Sequence, residues 1–307
     1  MRPYRLALLS PIAALVAVVA LGWGGPASGE PVAPPSPTAV PAPCANPAPG
    51  GHVLHLTAQG LPRVALLHVP RGARRGQRLP LVVAFSGAAS TGERFQDESG
   101  LSARADRSRF LVVYPTAYGS RPFWNMNGHV AGKPDDVAFT RSLLDAVEGA
   151  ACVDANRVYA TGVSNGGGMA ARVGCDVADR FAAIAPVAGG YGSLPPCRPS
   201  RPLPVLEIHG TGDHVVPYEG KDPDGSGNVL DYLAMWRSHD RCTGRAARKS
   251  SEGVERMAWT SCADGTAVEH LRLDGIRHGW PGPGVPEAPV SAADEVWRFF
   301  ARHTRRP

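Results

Sequence analysis

The 307-residue sequence contains no Cys-x-x-Cys pair and no cysteine–histidine spacing of the zinc-binding kind, so neither a metal nor any other cofactor is expected. It has little excess of one charge. The formal net value is +5, and part of that is Arg2 and Arg5 at the very start. The remaining basic residues are scattered, with a local cluster at 71–78 and no aromatic residues alternating with them, which argues against a nucleic-acid partner. No internal repeat is visible. No Thr-rich linker is visible after the last helical pattern, and no second domain is expected there. The long apolar run at 6–21 is interrupted by Pro11 and is short for a membrane span.

What is present at that end reads as an export leader. Arg2 and Arg5 precede the apolar run, and Ala27-Ser28-Gly29 offers the small residues of a cleavage site. We therefore expect a signal peptide over 1–29, a Pro-rich spacer over 30–50 and one folded domain over 51–307, secreted to the extracellular space, with no membrane association once the leader is cleaved. The six cysteines, Cys44, Cys152, Cys175, Cys197, Cys242 and Cys262, fit an oxidising compartment. The preferred pair is Cys242 with Cys262, which would close a short loop before the last strand. The other pairings stay open.

From residue 52 onward, short apolar runs alternate with amphipathic stretches. Strands are expected at 52–57, 64–69, 79–85, 110–114, 157–162, 182–188, 203–209 and 267–274. Most of the runs from 79 onward end in Gly, Pro or Ser and read as buried on both faces. Helices are expected at 135–151, 166–175, 229–239 and 291–302. Alternating strand and helix predict an α/β fold with a mostly parallel central sheet covered on both faces. Such folds hold ligands at the carboxyl ends of their strands, so chemically useful residues should lie just after strands.

Three do. Gly162-Val163-Ser164-Asn165-Gly166 follows the strand at 157–162 and opens a helix. This G-x-S-x-G pattern suits a sharp turn that lifts a serine hydroxyl above the sheet, with glycines where bulk would collide. The amide after the serine, that of Asn165, can then face a reacting carbonyl at a helix N-terminus. By itself the pattern is a weak signal in a chain with 36 glycines; its place between strand and helix gives it weight. Asp213 follows the strand at 203–209 through Gly210-Thr211-Gly212 and could orient an imidazole, although turn aspartates often bond only their own backbone. His278 lies in the Gly- and Pro-rich loop after the last strand and could serve as the base. The other histidines are poorer choices: His209 sits at a strand end before the turn, and His214 is next to the acid. Nucleophile, acid and base occur in the order Ser164, Asp213, His278, the order of α/β-hydrolases. A second oxyanion donor should come from the small-residue loop Ser86-Gly87-Ala88-Ala89-Ser90 after the strand at 79–85, with Ala88 favoured.

Taken together, the motifs resemble one family. Cys152-Val153-Asp154, the stretch at 157–167, Asp179-Arg180-Phe181, Ala185-Pro186-Val187-Ala188-Gly189, His209-Gly210-Thr211-Gly212-Asp213 with Val216-Pro217-Tyr218, and His278-Gly279-Trp280-Pro281-Gly282 look like the polyhydroxybutyrate depolymerase and feruloyl esterase family (carbohydrate esterase family one). Trp124-Asn125 and Asp135-Asp136-Val137 match its middle segment. The resemblance covers about 64–300 and implies the α/β-hydrolase fold, the triad Ser164, Asp213 and His278, and Trp280 and Trp124 near a substrate pocket. It departs from the family at Ser86, where a histidine is usual. The implied activity is a serine ester hydrolase working through an acyl-enzyme. Feruloyl or acetyl esters of plant polysaccharide are the first expected substrate, and hydroxyalkanoate polyester or its oligomers the second. An acyltransferase with the same triad and a non-catalytic surface-binding protein on a hydrolase scaffold are the rival classes. A monomer is expected.

Overall fold

The structure, a computed structural model, describes residues 44–127, 132–192, 194–220, 227–283 and 285–305. The leader and most of the spacer lie outside the described residues. The folded unit begins earlier than residue 51, however. Cys44 is disulfide-bonded to Cys152, and the Asn46 side chain donates to the carbonyls of Arg74 and Gln77 while accepting from the Cys152 amide. Residues 44–50 are thus tied to the domain, an attachment that the Pro-rich composition of the segment conceals.

The chain order is β1 (Gly50–Ala58), β2 (Leu61–Val69), β3 (Leu79–Phe85), α1 (Gly92–Ser99), α2 (Leu101–Ser108), β4 (Leu111–Pro115), α3 (Asp136–Ala150), β5 (Val153–Val163), α4 (Asn165–Asp176), β6 (Ala183–Val187), β7 (Val205–Gly210), α5 (Val229–His239), β8 (Ala247–Ser251), β9 (Val254–Trp259), β10 (Val268–Leu273) and α6 (Ala292–Phe300). All the expected strands and helices form, with ends shifted by a few residues. α1, α2, β8 and β9 are additions.

One sheet runs β1-β2-β4-β3-β5-β6-β7-β10-β9-β8. Its centre, from β4 to β10, is parallel, and the flanking pairs are antiparallel. The central strands read as unbroken apolar runs because both faces are covered. In β3, Leu79, Leu81, Val83 and Phe85 enter the core beneath α3, α4 and α5, while Val82 and Ala84 enter the core beneath α1, α2 and α6. Helix starts follow capping chemistry: the side chains of Thr91, Asp135, Asn228 and Ser291 each accept a first-turn amide of α1, α3, α5 and α6. The disulfides are Cys44–Cys152, Cys175–Cys197 and the expected Cys242–Cys262. Among the described residues no helix is long and apolar enough to cross a membrane.

Candidate active site

The carboxyl ends of β3, β5, β7 and β10 bring Ala88, Ser164, Asn165, Asp213, His278 and Trp280 to one rim of the sheet, whereas Trp124 lies in the loop after β4. Ser164 joins β5 to α4 with φ 59° and ψ −124°, a conformation that costs an L-residue of order 1–3 kcal/mol and persists only where the surroundings enforce it. They do so through contact with bare glycines. A Cβ on Gly162 would lie 2.4 Å from the Gly166 carbonyl oxygen, and one on Gly166 would lie 2.2 Å from the Phe85 carbonyl oxygen. The Ser164 amide donates to Val187 O on β6 (3.0 Å), and its carbonyl accepts from the Gly168 amide (2.9 Å). The turn is therefore clamped from both neighbouring strands.

The loop after β3 packs directly on Ser164: a Cβ on Gly87 would come within 3.6 Å of the Ser164 Cβ. Within the loop, the amides of Ala89 and Ser90 are engaged by Pro122 O and Gly87 O, so neither is free to hold an oxyanion. Asn165 opens α4, where an N–H has no intrahelical acceptor. Ser86 is fully buried, and its hydroxyl donates across the loop to Ser90 O (3.0 Å). Ser86 thus closes the loop on itself.

Trp124 and Trp280 have different places. Trp280 lines the cavity that contains Ser164 and His278, its ring edge-on to Phe95 (5.2 Å) and its Nε1 donating to Ser99 O (2.8 Å). Trp124 is fully buried and lines a neighbouring pocket with Tyr118 and Phe123. It works as a strut: its Nε1 donates to Ser86 O, and its main chain exchanges hydrogen bonds with the Asn165 side chain. The pairing of Trp124-Asn125 with Asp135-Asp136 has a similar explanation. The Asn125 amide donates to Asp136, which is ion-paired at 2.7 Å with buried Arg63, whose guanidinium lies over the Phe139 ring.

On the acid–base side, β7 and β10 are adjacent and parallel, and the loops leaving them are stitched together. Thr211 N donates to Leu273 O, Gly212 N to Ile276 O, and Gly275 N to the Thr211 hydroxyl. A side chain on Gly210 would strike the Ile276 carbonyl oxygen at 2.0 Å, so this glycine lets the two loops touch. Asp213 is buried. Its Oδ1 accepts the amides of Val215 and Val216, and its Oδ2 lies 2.6 Å from His278 Nδ1. Burial would push this carboxyl up, but hydrogen bonds from His209, His278 and the Val216 amide hold it far below its usual range. Asp213 is therefore an anion bonded to the His278 Nδ1–H, which leaves Nε2 to accept a proton. Among the described residues Ser164 Oγ forms no hydrogen bond to His278, but both line the same cavity of about 390 Å³ with Gly87, Ala88, Phe95 and Trp280. Catalytic hydrogen bonds are often long before substrate arrives.

His209, set aside as a base from the sequence, and Glu207, which the sequence did not single out, stand behind Asp213. His209 and Glu207, both buried, form an ion pair at 2.9 Å, and His209 Nε2 is 3.3 Å from Asp213 Oδ2. Their alternation within β7 gave no sign of this, because a buried strand hides polar residues among apolar ones. Among the described residues no group of three or more His, Cys, Asp or Glu is placed to hold a metal ion.

A mostly parallel sheet with a serine on a strained strand-to-helix turn and an Asp–His pair on the next loops defines the α/β-hydrolase class. Solved structures agree on the fold: the acetyl xylan esterase of Aspergillus awamori superposes with a TM-score of 0.63, covering 82% of this chain and 99% of that one at 14% identity. The family model described as Esterase PHB depolymerase matches residues 64–192. Feruloyl esterase C of Emericella nidulans is 32% identical over 212 residues, 68% of this chain and 70% of that protein. NocK of Nocardia uniformis subsp. tsuyamanensis, an esterase by provisional name, is 31% identical over 263 residues, 76% of each chain. The chain belongs to the polyhydroxybutyrate depolymerase and feruloyl esterase family, and it is a carboxylic ester hydrolase.

Proposed function

We propose that this is a secreted serine esterase that cleaves feruloyl or acetyl esters of plant polysaccharide through an acyl-enzyme on Ser164. The observation that carries the reading is the strained Ser164 turn opening into the same cavity as His278, whose other ring nitrogen is bonded to the ionised Asp213. His278 Nε2 takes the Ser164 proton as Oγ attacks the ester carbonyl. The amides of Asn165 and Ala88 hold the developing oxyanion, each such donor contributing about 3 kcal/mol of barrier lowering. The imidazolium then protonates the departing alcohol. In the second half water attacks the acyl-enzyme, again with His278 as base and Asp213 orienting it. Three disulfides among the described residues support an extracellular working place.

The substrate reading is supported by the cavity and by the relatives' names. The polar atom of Trp280 is spent on Ser99 O, so what the indole and Phe95 offer a ligand is apolar ring surface, suited to a flat or small acyl group. The volume of about 390 Å³ lies within the usual range for small-ligand sites. Release of ferulate from methyl ferulate, of acetate from acetylated xylan and of 3-hydroxybutyrate from soluble oligomers should be compared on the mature protein, with Ser164→Ala as control. The first two should exceed the third. Turnover of the hydroxybutyrate oligomers alone would assign the protein to polyester instead, and acyl transfer to a sugar exceeding hydrolysis would make it a transferase.

A further inference from the structure

The Ser–His–Asp reading leaves a buried charged cluster without a task. Glu207 lies in the middle of β7 and is fully buried, yet it is surrounded by donors. Its Oε1 accepts from the Tyr191 hydroxyl (3.0 Å) and from His209 Nδ1 (2.9 Å), and its Oε2 lies 2.7 Å from His270 Nδ1 on β10. His270 Nε2 is in turn 2.8 Å from the Tyr218 hydroxyl. A carboxylate so enclosed is ionised. Burial pushes it up, but the His209 charge and the hydrogen bonds from His209 and His270 bring it down to about 2.

The hydrogen-bond partners of His209 decide its own state. Nδ1 faces the Glu207 carboxylate. Nε2 faces the Val216 carbonyl at 2.9 Å and the Asp213 carboxylate at 3.3 Å. All three are acceptors, and a neutral imidazole would turn a bare lone pair onto one of them. Both ring nitrogens therefore carry protons. Burial opposes the charge, but Glu207 and Asp213 outweigh it and raise the group to about 10.

We propose that His209, held as a cation by Glu207, is a positioning residue for the catalytic acid: it pins Asp213 as an ionised, correctly turned carboxylate between two imidazoles. This rests on the triad reading above. One imidazole of the pair, His278, faces the cavity and works. The other is sealed behind the acid and fixed. Asp213 Oδ1 is held by two backbone amides, so its rotation is set from one side by main chain and from the other by His209. The fixed cation also shares the negative charge of Asp213 with His278, which moderates how tightly the acid holds the His278 imidazolium. The other groups facing this cluster are Tyr191 and His270 on Glu207, and Tyr218, which packs edge-on to His209 at 5.9 Å. Beyond Tyr218 lies Arg272, itself paired with Asp274 at 2.5 Å and with Glu255 at 4.0 Å.

The test is steady-state hydrolysis of p-nitrophenyl acetate across pH by the full disulfide-bonded protein. The variants are Ser164→Ala, His209→Gln and the charge-neutral double change Glu207→Gln with His209→Gln. The double variant should keep KM within about threefold while kcat falls by about 10- to 100-fold, as expected for lost positioning rather than lost binding. The acidic limb of its kcat/KM profile should move to higher pH by about half a unit, because Asp213 relieved of its second cation holds the His278 imidazolium more firmly. Unchanged kcat and an unmoved acidic limb, or a loss confined to KM, would overturn the proposal. If neither His209 variant folds, a histidine-¹⁵N spectrum of the unaltered protein at pH 8 decides. A buried imidazole with both nitrogens protonated supports the proposal, and a neutral tautomer at His209 overturns it. Activity surviving in Ser164→Ala would remove the underlying triad reading instead, a result distinct from failure of the His209 variants alone.

Discussion

The two walls of the cavity are built on different physical grounds. On the nucleophile side, Ser164 is placed by sterics. Glycines at 162 and 166 let the backbone of β3, β5 and α4 touch. On the acid–base side Gly210 likewise lets two loops touch, but a buried charged network of Glu207, His209 and His270, joined to Tyr191 and Tyr218, stands behind Asp213. The first wall tolerates changes of charge and no added volume. The second, outside the close contacts at Gly210 and Gly212, should tolerate modest changes of volume and no unpaired charge.

The largest effects should come from the chemistry itself. Ser164→Ala should cut kcat/KM by about 10⁴-fold or more with the fold retained, read as ester turnover alongside near-UV circular dichroism. Asp213→Asn should cost about 10³- to 10⁴-fold in kcat, since the amide offers His278 the wrong hydrogen-bond pattern. Next comes a test of the steric wall. Gly166→Ala would put a methyl group 2.2 Å from the Phe85 carbonyl oxygen and should cost about 3 kcal/mol or more of stability, measured by urea unfolding. Gly166→Ala as stable as the parent would break the steric half of the comparison. Replacing Cys242 and Cys262 by serine opens a 20-residue separation far from both walls. Stability should fall by roughly 3 kcal/mol, while turnover by the folded fraction stays unchanged.

The smallest expected effect contrasts a second buried histidine with His209. His303, beside Phe299 and without an acidic partner among the described residues, is pushed down to about 4 by burial and then by the charge of Arg302. Its folded value lies below the ordinary histidine value, so the unfolded chain binds the extra proton first. The stability it contributes is present above about pH 6.5 and is lost as pH falls through about 4. His303→Leu should flatten that slope in urea midpoints between pH 7 and 4. His209, raised to about 10 by Glu207, carries the opposite sign: its contribution is full below the ordinary histidine value and is lost as pH rises through about 10. Equal slopes for the two histidines would show that burial alone, and not partnership, sets their charge.

Legibility in the sequence followed the same division. Ser164, with its flanking glycines, lies within five consecutive residues, so a local pattern exposes it. Asp213 and His278 could be read because each follows a recognisable strand. His209 and Glu207 could not, since their partners come from β7, β10 and two loops with no fixed spacing. α1 and α2 escaped notice because each is eight residues long and rich in charge, broken at Gly100 with φ 70°. β8 escaped because all five of its residues are exposed. The spacer was drawn too long because composition cannot show that Cys44 and Asn46 reach Cys152.

Residue order alone determined the alternation of buried strands and helices, the strained serine turn and the placing of Asp213 and His278 just after strands, because these depend on neighbours a few positions apart. Tertiary structure decided that Trp280 faces the cavity while Trp124 braces the loop behind it, which cysteines pair, and that a buried histidine stands behind Asp213. Each of those outcomes depends on which distant groups share a dry space, and burial there makes a hydrogen-bond partner or its absence worth more than any local preference.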